Sequence, residues 1–252
     1  MGLDAMNPRK LFTQCGFRCL AATLVLSAWA AWAAESEQEF ERLREAMVRD
    51  QIAARGVKDE RVLRVMRDLP RHLFVPPRWQ AQAYTDKPLP IGEEQTISQP
   101  YIVALMTELL RPQPGDVVLE VGTGSGYQAA VLSRLARQVY TIEIIPPLAQ
   151  DAARRLQSLG YANVQVRTGD GYLGWPEQAP FDGIIVTAAP PEIPPALLAQ
   201  LKRGGRMVVP VGKSDRTQQL MVLEKSKTSE QIVGRNVIPV RFVPMVEQPS
   251  KK

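Results

Sequence analysis

The sequence predicts an α/β fold: a doubly wound, mostly parallel sheet with an antiparallel edge strand and N-terminal helices. Strand and helix patterns alternate between Gly115 and Gly212, an order that places helices on both faces of a parallel sheet. A glycine-rich turn follows the first of these strands and opens a helix. The stretches QQLMVLEK and RNVIPVRFVPM come last with no helix pattern between them, so we expect two antiparallel strands at the sheet edge.

The individual elements follow from apolar spacing and turn residues. Residues 36–69 have helical spacing, residues 70–100 carry turn signals and are expected to be mostly loop, and a helix is predicted over 99–111. Beyond Gly115 the patterns predict, in order, a strand at 117–122, a helix at 126–137, a strand at 139–143, a helix from Pro146 to Gly160, strands at 163–170 and 181–189, a helix at 194–202 and a strand at 206–212.

These elements group into four predicted segments. Residues 1–34 form an N-terminal extension that is similar to a signal peptide, and residues 35–112 form a helical and substrate-loop region. Residues 113–212 form the cofactor-binding core, and residues 213–252 form the C-terminal edge strands and tail.

Composition and charge exclude several classes of protein. Of the 252 residues, 45% are hydrophobic and 23% are charged, which is typical of a globular protein and excludes disordered, collagen-like and disulfide-scaffold chains. Lys and Arg number 31 against 26 Asp and Glu, and no run of like charge marks a nucleic-acid-binding tail. The charge by itself therefore says little about partners.

Cysteine and histidine are scarce in this chain. Both cysteines, Cys15 and Cys19, lie in the N-terminal extension, and the single histidine is His72. The body of the protein therefore offers no Cys/His metal site and no cysteine nucleophile, and we expect no metal. Its chemistry has to use carboxylates, hydroxyls, backbone groups and a bound cofactor.

The uncharged segment 19–34 admits two interpretations. It is sixteen residues long, shorter than the roughly 20 residues that cross a bilayer as a helix, so we expect no stable membrane insertion. Basic residues precede it and the small-x-small sequence Ala31-Trp32-Ala33 ends it, which is typical of a cleaved secretory signal peptide. Alternatively, translation starts later, for instance at Met47, and the segment is never made.

The glycine-rich turn reads Glu120-Val121-Gly122-Thr123-Gly124-Ser125-Gly126-Tyr127. A dinucleotide-binding turn needs its third glycine at position 127, which is tyrosine here. The spacing therefore favours S-adenosylmethionine over NAD as the bound cofactor.

Two acids at the ends of the following strands support this cofactor. Glu143 is placed to accept hydrogen bonds from ribose hydroxyls, and Asp170 is placed to accept from an adenine amino group. An ordinary strand-turn-helix connection, a capping acid and a loop aspartate are the simpler explanations of the same residues. The predicted cofactor-binding residues are Glu120, Gly122, Thr123, Gly124, Gly126, Glu143, Asp170 and Gly171.

The fourth strand limits the methyl acceptor. It ends in Thr187-Ala188-Ala189-Pro190-Pro191, whereas enzymes that methylate the amines of nucleobases usually place Asn or Asp before such a Pro-Pro. Nucleobase methylation is therefore disfavoured, and we expect no nucleic-acid partner. A carboxylate fits better, because with a pKa near 4 it is already ionised at neutral pH and needs no strong base.

Five stretches of the chain carry a family resemblance: PRHLFVP (70–76), LPIGEEQTISQPYIVALMTELL (89–110), VLEVGTGSGYQAAVLSRL (118–135), GDGYLGWPEQAPFDGIIVTAAPPEIPPALLAQLKRGG (169–205) and VRFVPM (240–245). With these stretches the chain resembles the protein-L-isoaspartate O-methyltransferases from about Met47 to Val246. The run TISQPY before the glycine turn is the most specific part of the resemblance, because other methyltransferases lack it.

The resemblance implies a Rossmann-like class I methyltransferase that acts as a cytosolic monomer on isoaspartyl-containing proteins and peptides. Such an enzyme transfers a methyl group to the α-carboxylate of an L-isoaspartyl residue, and the ester then closes to a succinimide that hydrolyses partly back to aspartate, which repairs the protein. The family's active-site serine corresponds to Ser98, which by position is also a possible N-cap of the helix at 99–111. Thr96 and Ile97 beside it, and Val243 and Pro244 in VRFVPM, are expected to contact substrate; the alternative for VRFVPM is a buried edge strand.

Rival functions and the location of the protein stay open at this stage. The rivals are a methyltransferase for a small carboxylic acid or RNA, a non-catalytic S-adenosylmethionine-binding module, and an NAD oxidoreductase. S-adenosylmethionine is charged and made inside cells, so an exported enzyme would lack its donor. We therefore expect cytoplasmic activity, with the periplasm as the alternative if residues 1–33 are a cleaved signal peptide.

Overall fold

The computed structural model describes residues 37–213 and 215–247. The chain separates into two compact units, Met1–Leu43 and Arg44–Lys252. The described residues of the first unit are helical, and the second unit contains the sheet. The predicted N-terminal extension, residues 1–34, lies outside the described residues. Within the described ranges no helix combines the length and the apolar character that crossing a membrane requires.

Helical segments precede the sheet, as the spacing over 36–69 predicts. Helix α1 (37–46) passes into a π-helical stretch, Met47–Ile52, and a 3-10 turn, Ala53–Arg55. Gly56 then adopts a left-handed conformation with φ 97°, which ends the turn. Helix α2 (Glu60–Asp68) starts after Asp59, whose carboxylate accepts a hydrogen bond from the backbone N–H of Arg61.

The predicted loop at 70–100 contains short elements that the turn signals did not reveal. Two 3-10 segments, Arg71–Phe74 and Pro77–Gln82, are followed by a hairpin of strands β1 (Leu89–Gly92) and β2 (Gln95–Ile97). Helix α3 (Pro100–Leu110) comes next and confirms the predicted helix with Pro100 in its first turn.

The main sheet has seven strands and confirms the predicted fold class. Its order is β5-β4-β3-β6-β7-β8-β9; β3 to β7 are parallel, and β8 and β9 are antiparallel to their neighbours. The strands are β3 (Val117–Val121), β4 (Gln138–Glu143), β5 (Val164–Thr168), β6 (Phe181–Val186), β7 (Leu201–Val211), β8 (Gln218–Lys225) and β9 (Ile232–Val240), and the intervening helices are α4 (Tyr127–Ser133), α5 (Pro146–Ser158) and α6 (Pro195–Gln200).

Three predicted boundaries were wrong. Helix α4 ends at Ser133 instead of 137, and β6 ends at Val186 instead of 189. Helix α6 ends at Gln200 instead of 202, and Gly204 and Gly205 lie inside β7. The register of β6 and β7 is irregular at this point, and a Cβ on Gly205 would lie 2.9 Å from the carbonyl oxygen of Asp182, so the two glycines accommodate a bulge.

The topology creates a crevice at the carboxyl ends of the central strands. The chain moves outward from β3 through β4 to β5 and then returns to β6 on the other side of β3. Residues of β3, β4 and β6 such as Leu119, Ile142 and Ile184 are almost completely buried, which anchors these strands in the core. Parallel sheets bind ligands where the strand order reverses, which here is the edge between β3 and β6.

Candidate functional site

The glycine turn lies at this edge, in a backbone conformation that only glycine adopts without strain. Gly122, Gly124 and Gly126 have φ values of 100°, 51° and 84°. A Cβ on Gly122 would lie 2.3 Å from Oγ1 of Thr187, and a Cβ on Gly126 would lie 3.1 Å from Leu156 on α5. Gly122 and Gly124 line a cavity, whereas Gly126 serves the packing of α4 against α5.

Glu143 at the end of β4 reaches the same cavity. Its Oε2 accepts a hydrogen bond from the backbone N–H of Gly124 at 2.8 Å, and its Oε1 accepts from that of Ile145 at 3.0 Å. The side chain is thus fixed by the glycine turn on one side and by the start of α5 on the other. A carboxylate has about four lone-pair sites, so Glu143 retains acceptor capacity for a ligand.

The cavity has a volume of about 350 Å³, within the usual range for a cofactor site. Its walls come from the glycine turn, the ends of β3 and β4, the β1–β2 hairpin and the C-terminal tail. The residues that line it are Glu94, Gln95, Thr96, Val121, Gly122, Gly124, Ile142, Glu143, Ile144, Ile145, Gly171, Thr187, Ala188, Val243, Pro244, Met245 and Val246. We call it the cofactor cavity.

Two predicted cofactor contacts, Glu120 and Thr123, do not reach the wall of this cavity. Glu120 is fully buried in β3, and its Oε2 accepts a hydrogen bond from the Thr141 hydroxyl at 2.6 Å. The hydroxyls of Thr123 and Thr141 are 2.7 Å apart. Burial raises the pKa of Glu120 to about 8. These side chains therefore support the turn from inside the fold, and their direct contact with the cofactor stays a prediction.

Asp170 and Gly171 follow β5. Gly171 lines the cofactor cavity, and a Cβ there would lie 2.4 Å from Cγ1 of Val121. The carboxylate of Asp170 accepts a hydrogen bond from the backbone N–H of Tyr172 at 2.8 Å and caps the 3-10 turn Gly171–Leu173. Asp170 itself is not among the lining residues, so its contact with adenine stays a prediction.

A second cavity of about 610 Å³ adjoins the first and shares Thr96, Thr187 and Val243 with it. Its lining includes two arginines, Arg55 and Arg241, and no acidic residue. The residues that line it are Arg55, Pro88, Thr96, Ser98, Gln99, Tyr101, Ile102, Thr187, Ile238, Pro239, Val240, Arg241, Phe242 and Val243. Arg55 pairs with Asp86, which leaves Arg241 as the cation of this lining that can attract an anion. We call it the acceptor cavity.

Ser98 lies on the wall of the acceptor cavity between β2 and α3. The N-cap of α3 is Gln99, with no side-chain capping hydrogen bond, so the interpretation of Ser98 as the N-cap is wrong. Among residues 37–213 and 215–247, no hydrogen bond uses the Ser98 hydroxyl, while its carbonyl accepts from Arg71. Thr96 lines both cavities, whereas Ile97 is buried at 3% exposure and lines neither, so its contact with substrate stays a prediction.

The VRFVPM segment crosses the boundary between the two cavities. Val243 lines both cavities and Pro244 lines the cofactor cavity. The backbone carbonyl of Val243 accepts from the N–H of Ala189 at 2.8 Å, and the N–H of Met245 donates to the carbonyl of Ala189 at 2.9 Å. Strand β9 ends at Val240, so the segment is not a continuous edge strand. It forms an isolated bridge with Ala189, and the carbonyls of Phe242 and Met245 accept hydrogen bonds from the side chains of Gln218 and Tyr172.

Thr187 is the main site residue that the sequence reasoning did not assign. Its hydroxyl donates to the carbonyl oxygens of Gly122 at 2.6 Å and Val121 at 3.1 Å, which ties the end of β6 to the glycine turn. The available signal was its position directly after a buried strand next to the first one. Across the described ranges, no group of three or more His, Cys, Asp or Glu residues is arranged to hold a metal ion.

The doubly wound sheet, the glycine turn and the strand-end carboxylate beside a cofactor-sized cavity define the Rossmann-like class I methyltransferases. Within that class, the profile of the family described as protein-L-isoaspartate(D-aspartate) O-methyltransferase matches residues 41–250. The chain belongs to this family, which confirms the resemblance seen in the sequence.

Individual proteins that are similar to this chain carry the name of the same family. The protein-L-isoaspartate O-methyltransferase 2 of Polaromonas sp. is 62% identical over 190 residues, which cover 75% of this chain and 90% of the relative. A solved structure of a protein-L-isoaspartate O-methyltransferase is 34% identical with a TM-score of 0.70, covering 81% of this chain and 65% of that one. A putative Plasmodium falciparum enzyme of the same name, in complex with S-adenosyl-L-homocysteine, has the same fold at 23% identity, with a TM-score of 0.70 and coverage of 81% and 99%.

Proposed function

We propose that this chain is a protein-L-isoaspartate (D-aspartate) O-methyltransferase that methylates the α-carboxylate of L-isoaspartyl residues in damaged proteins and so initiates their repair. The observation that carries the proposal is the junction of the two cavities at Thr96, Thr187 and Val243. A methyl donor in the cofactor cavity and a carboxylate in the acceptor cavity meet at this junction. Arg241 lines the acceptor cavity, whose described lining holds no acid, and it favours an anionic acceptor, whereas the charge of Arg55 is already paired with Asp86.

The residues of the cofactor cavity fit S-adenosylmethionine. Gly122 and Gly124 let the ligand approach the backbone, and Glu143 offers its carboxylate to the ribose hydroxyls. When bound, S-adenosylmethionine supplies a methyl group whose bond to sulfur breaks, with the electron pair remaining on sulfur, as the carboxylate oxygen forms the new bond. A cation and an anion become two neutral products, so a pocket with little water favours the step.

The acceptor cavity positions the carboxylate. No base is needed, because the carboxylate is ionised at neutral pH. We assign to the Ser98 hydroxyl the donation of a hydrogen bond to one carboxylate oxygen, which aims the other at the methyl carbon. Holding the two reacting groups in line contributes roughly 7–11 kcal/mol in well-oriented systems.

A transfer assay with S-adenosylmethionine labelled on its methyl group tests the function. We expect labelling of a peptide with one L-isoaspartyl residue and none of the same peptide with aspartate or of an RNA transcript. The Glu143→Ala variant serves as the control for cofactor-dependent transfer. Labelling of RNA, equal labelling of both peptides, or cofactor binding without any transfer would overturn the proposal.

We further propose that the enzyme acts in the cytoplasm as a monomer. The support for the location is that its charged donor is made inside cells, and the support for the monomer is the resemblance to the family. N-terminal sequencing of the native protein tests the location, since Ala34 or Glu35 at the front would indicate export. Light scattering of the purified protein tests the monomer, and a mass of two or more chains would contradict it.

A further inference from the structure

Arg71 is a fully buried cation that the proposed mechanism does not use. It starts the 3-10 segment Arg71–Phe74 and is 0% exposed. Its Nε donates to the carbonyl of Ala83 at 2.8 Å and its Nη2 donates to the carbonyl of Ser98 at 2.7 Å. Its Nη1 has no hydrogen-bond partner within the described ranges.

The charge of Arg71 is not balanced by an acidic side chain in the part of the chain that the structure describes. Burial lowers its pKa to about 10, so the guanidinium is still charged at neutral pH. A buried cation without a counter-ion is unfavourable for folding, and even buried ion pairs are often replaced by apolar residues of similar volume without loss of stability. Packing alone therefore does not explain an arginine here.

Arg71 lies between the first residue of α4 and the residue that precedes the N-cap of α3. Its Cζ lies 4.8 Å from the ring centre of Tyr127, the residue that follows the glycine turn. Its Nη2 contacts Ser98, which lines the acceptor cavity. Standard bond lengths place the Ser98 hydroxyl within about 7 Å of the guanidinium, close enough for a poorly screened charge to act on a carboxylate held there.

We propose that Arg71 is a positioning residue for methyl transfer, which fixes the backbone of Ser98 and supplies the unpaired positive charge that favours a carboxylate beside it. This role rests on the proposed function, because an anionic acceptor gains from the charge and a neutral acceptor does not. Arg55 differs, because it lies at the surface and pairs with Asp86 at 3.0 Å.

If Arg71 acts through its charge, its removal weakens binding of a charged peptide more than binding of a neutral one, which a purely structural role would not do. The experiment compares how tightly the enzyme binds two peptides. One is an isoaspartyl peptide with a free α-carboxylate, and the other is the same peptide with an α-carboxamide. In Arg71→Met, we expect affinity for the carboxylate peptide to fall about tenfold more than affinity for the carboxamide peptide, because both peptides lose the fixed Ser98 backbone but the carboxylate alone loses the charge. Arg71→Lys keeps the charge and is expected to restore most of the preference. Affinity for S-adenosylhomocysteine, measured by calorimetry, is expected to change little in either variant.

Arg206→Met is the matched control, because Arg206 in the middle of β7 is also mostly buried but pairs with Glu224 at 2.7 Å, and it lines neither cavity. If Arg71→Met does not fold, Arg71→Gln provides a neutral side chain that still donates hydrogen bonds. Equal loss of both peptides in the neutral variant, or failure of lysine to restore the preference, would overturn the role of the charge. A wild-type enzyme that methylates no isoaspartyl peptide would instead refute the proposed function.

Discussion

Replacing Glu143 with alanine is expected to weaken S-adenosylhomocysteine binding about 100-fold. The carboxylate is held by the N–H groups of Gly124 at 2.8 Å and Ile145 at 3.0 Å, so it faces the cofactor cavity in one orientation. Hydrogen bonds to a charged group contribute about 1.5–3 kcal/mol each. Loss of two such bonds to ribose, partly replaced by bonds to water, amounts to about 3 kcal/mol, which is about 100-fold in Kd.

Calorimetric titration with S-adenosylhomocysteine measures this change directly. Glu143→Gln tests the role of the carboxylate in a side chain of the same shape. Its amide nitrogen can only donate, yet it has to face one of the two backbone N–H groups, so we expect this variant to bind S-adenosylhomocysteine poorly as well. Glu230→Ala is the control. Glu230 is an exposed acid in the β8–β9 connection, and it pairs with Arg203 and Lys225. Wild-type affinity in both Glu143 variants would refute the assignment of the cofactor cavity.

Three further predictions follow from the site. Ser98→Ala is expected to lower kcat about 10- to 100-fold, the value of one hydrogen bond to a charged group, with unchanged S-adenosylhomocysteine affinity; steady-state kinetics equal to wild type would contradict this. Gly122→Ala is expected to lower the free energy of unfolding in urea, because its Cβ would lie 2.3 Å from Oγ1 of Thr187. The loss should exceed the cost of a left-handed alanine, which is about 1–2 kcal/mol. Adding Thr187→Ala should recover part of the loss, and no loss in the single variant would contradict this. Glu120 is neutral in the folded state up to about pH 8 but ionises near pH 4 when unfolded, so the folded state binds the extra proton and stability falls as pH rises between these values. Glu120→Gln cannot ionise, so its free energy of unfolding should rise relative to that of the wild type as the pH increases from 5 to 8. Parallel profiles of unfolding free energy against pH for the two proteins would contradict this.

The parts of the site that the sequence predicts best are those set by strand ends. Gly122, Gly124 and Glu143 follow buried apolar strands, and parallel strands bring their carboxyl ends to one edge, so these residues meet in the cofactor cavity as predicted. Side-chain direction is harder to predict. Glu120 in β3 and Thr123 in the turn both point to Thr141 inside the fold, and the spacing of the glycines carries no signal of this direction.

Long-range contacts were not predictable from local patterns. Thr187 became part of the site through its hydrogen bond to Gly122, which is 65 positions away in the sequence. The tail reaches the site through the pairing of Ala189 with Val243 and Met245, which no periodicity reveals. Short elements such as the β1–β2 hairpin were also missed, because strands of four and three residues carry too few alternations to stand out from turn signals.

The most direct test of the account is a crystal structure of the enzyme with S-adenosylhomocysteine and an L-isoaspartyl peptide. We expect the ribose hydroxyls on Glu143, the α-carboxylate beside Ser98, and the sulfur directed at the carboxylate across the junction of Thr96, Thr187 and Val243. A carboxylate bound outside the acceptor cavity, or one separated from the sulfur by the VRFVPM segment, would contradict the account.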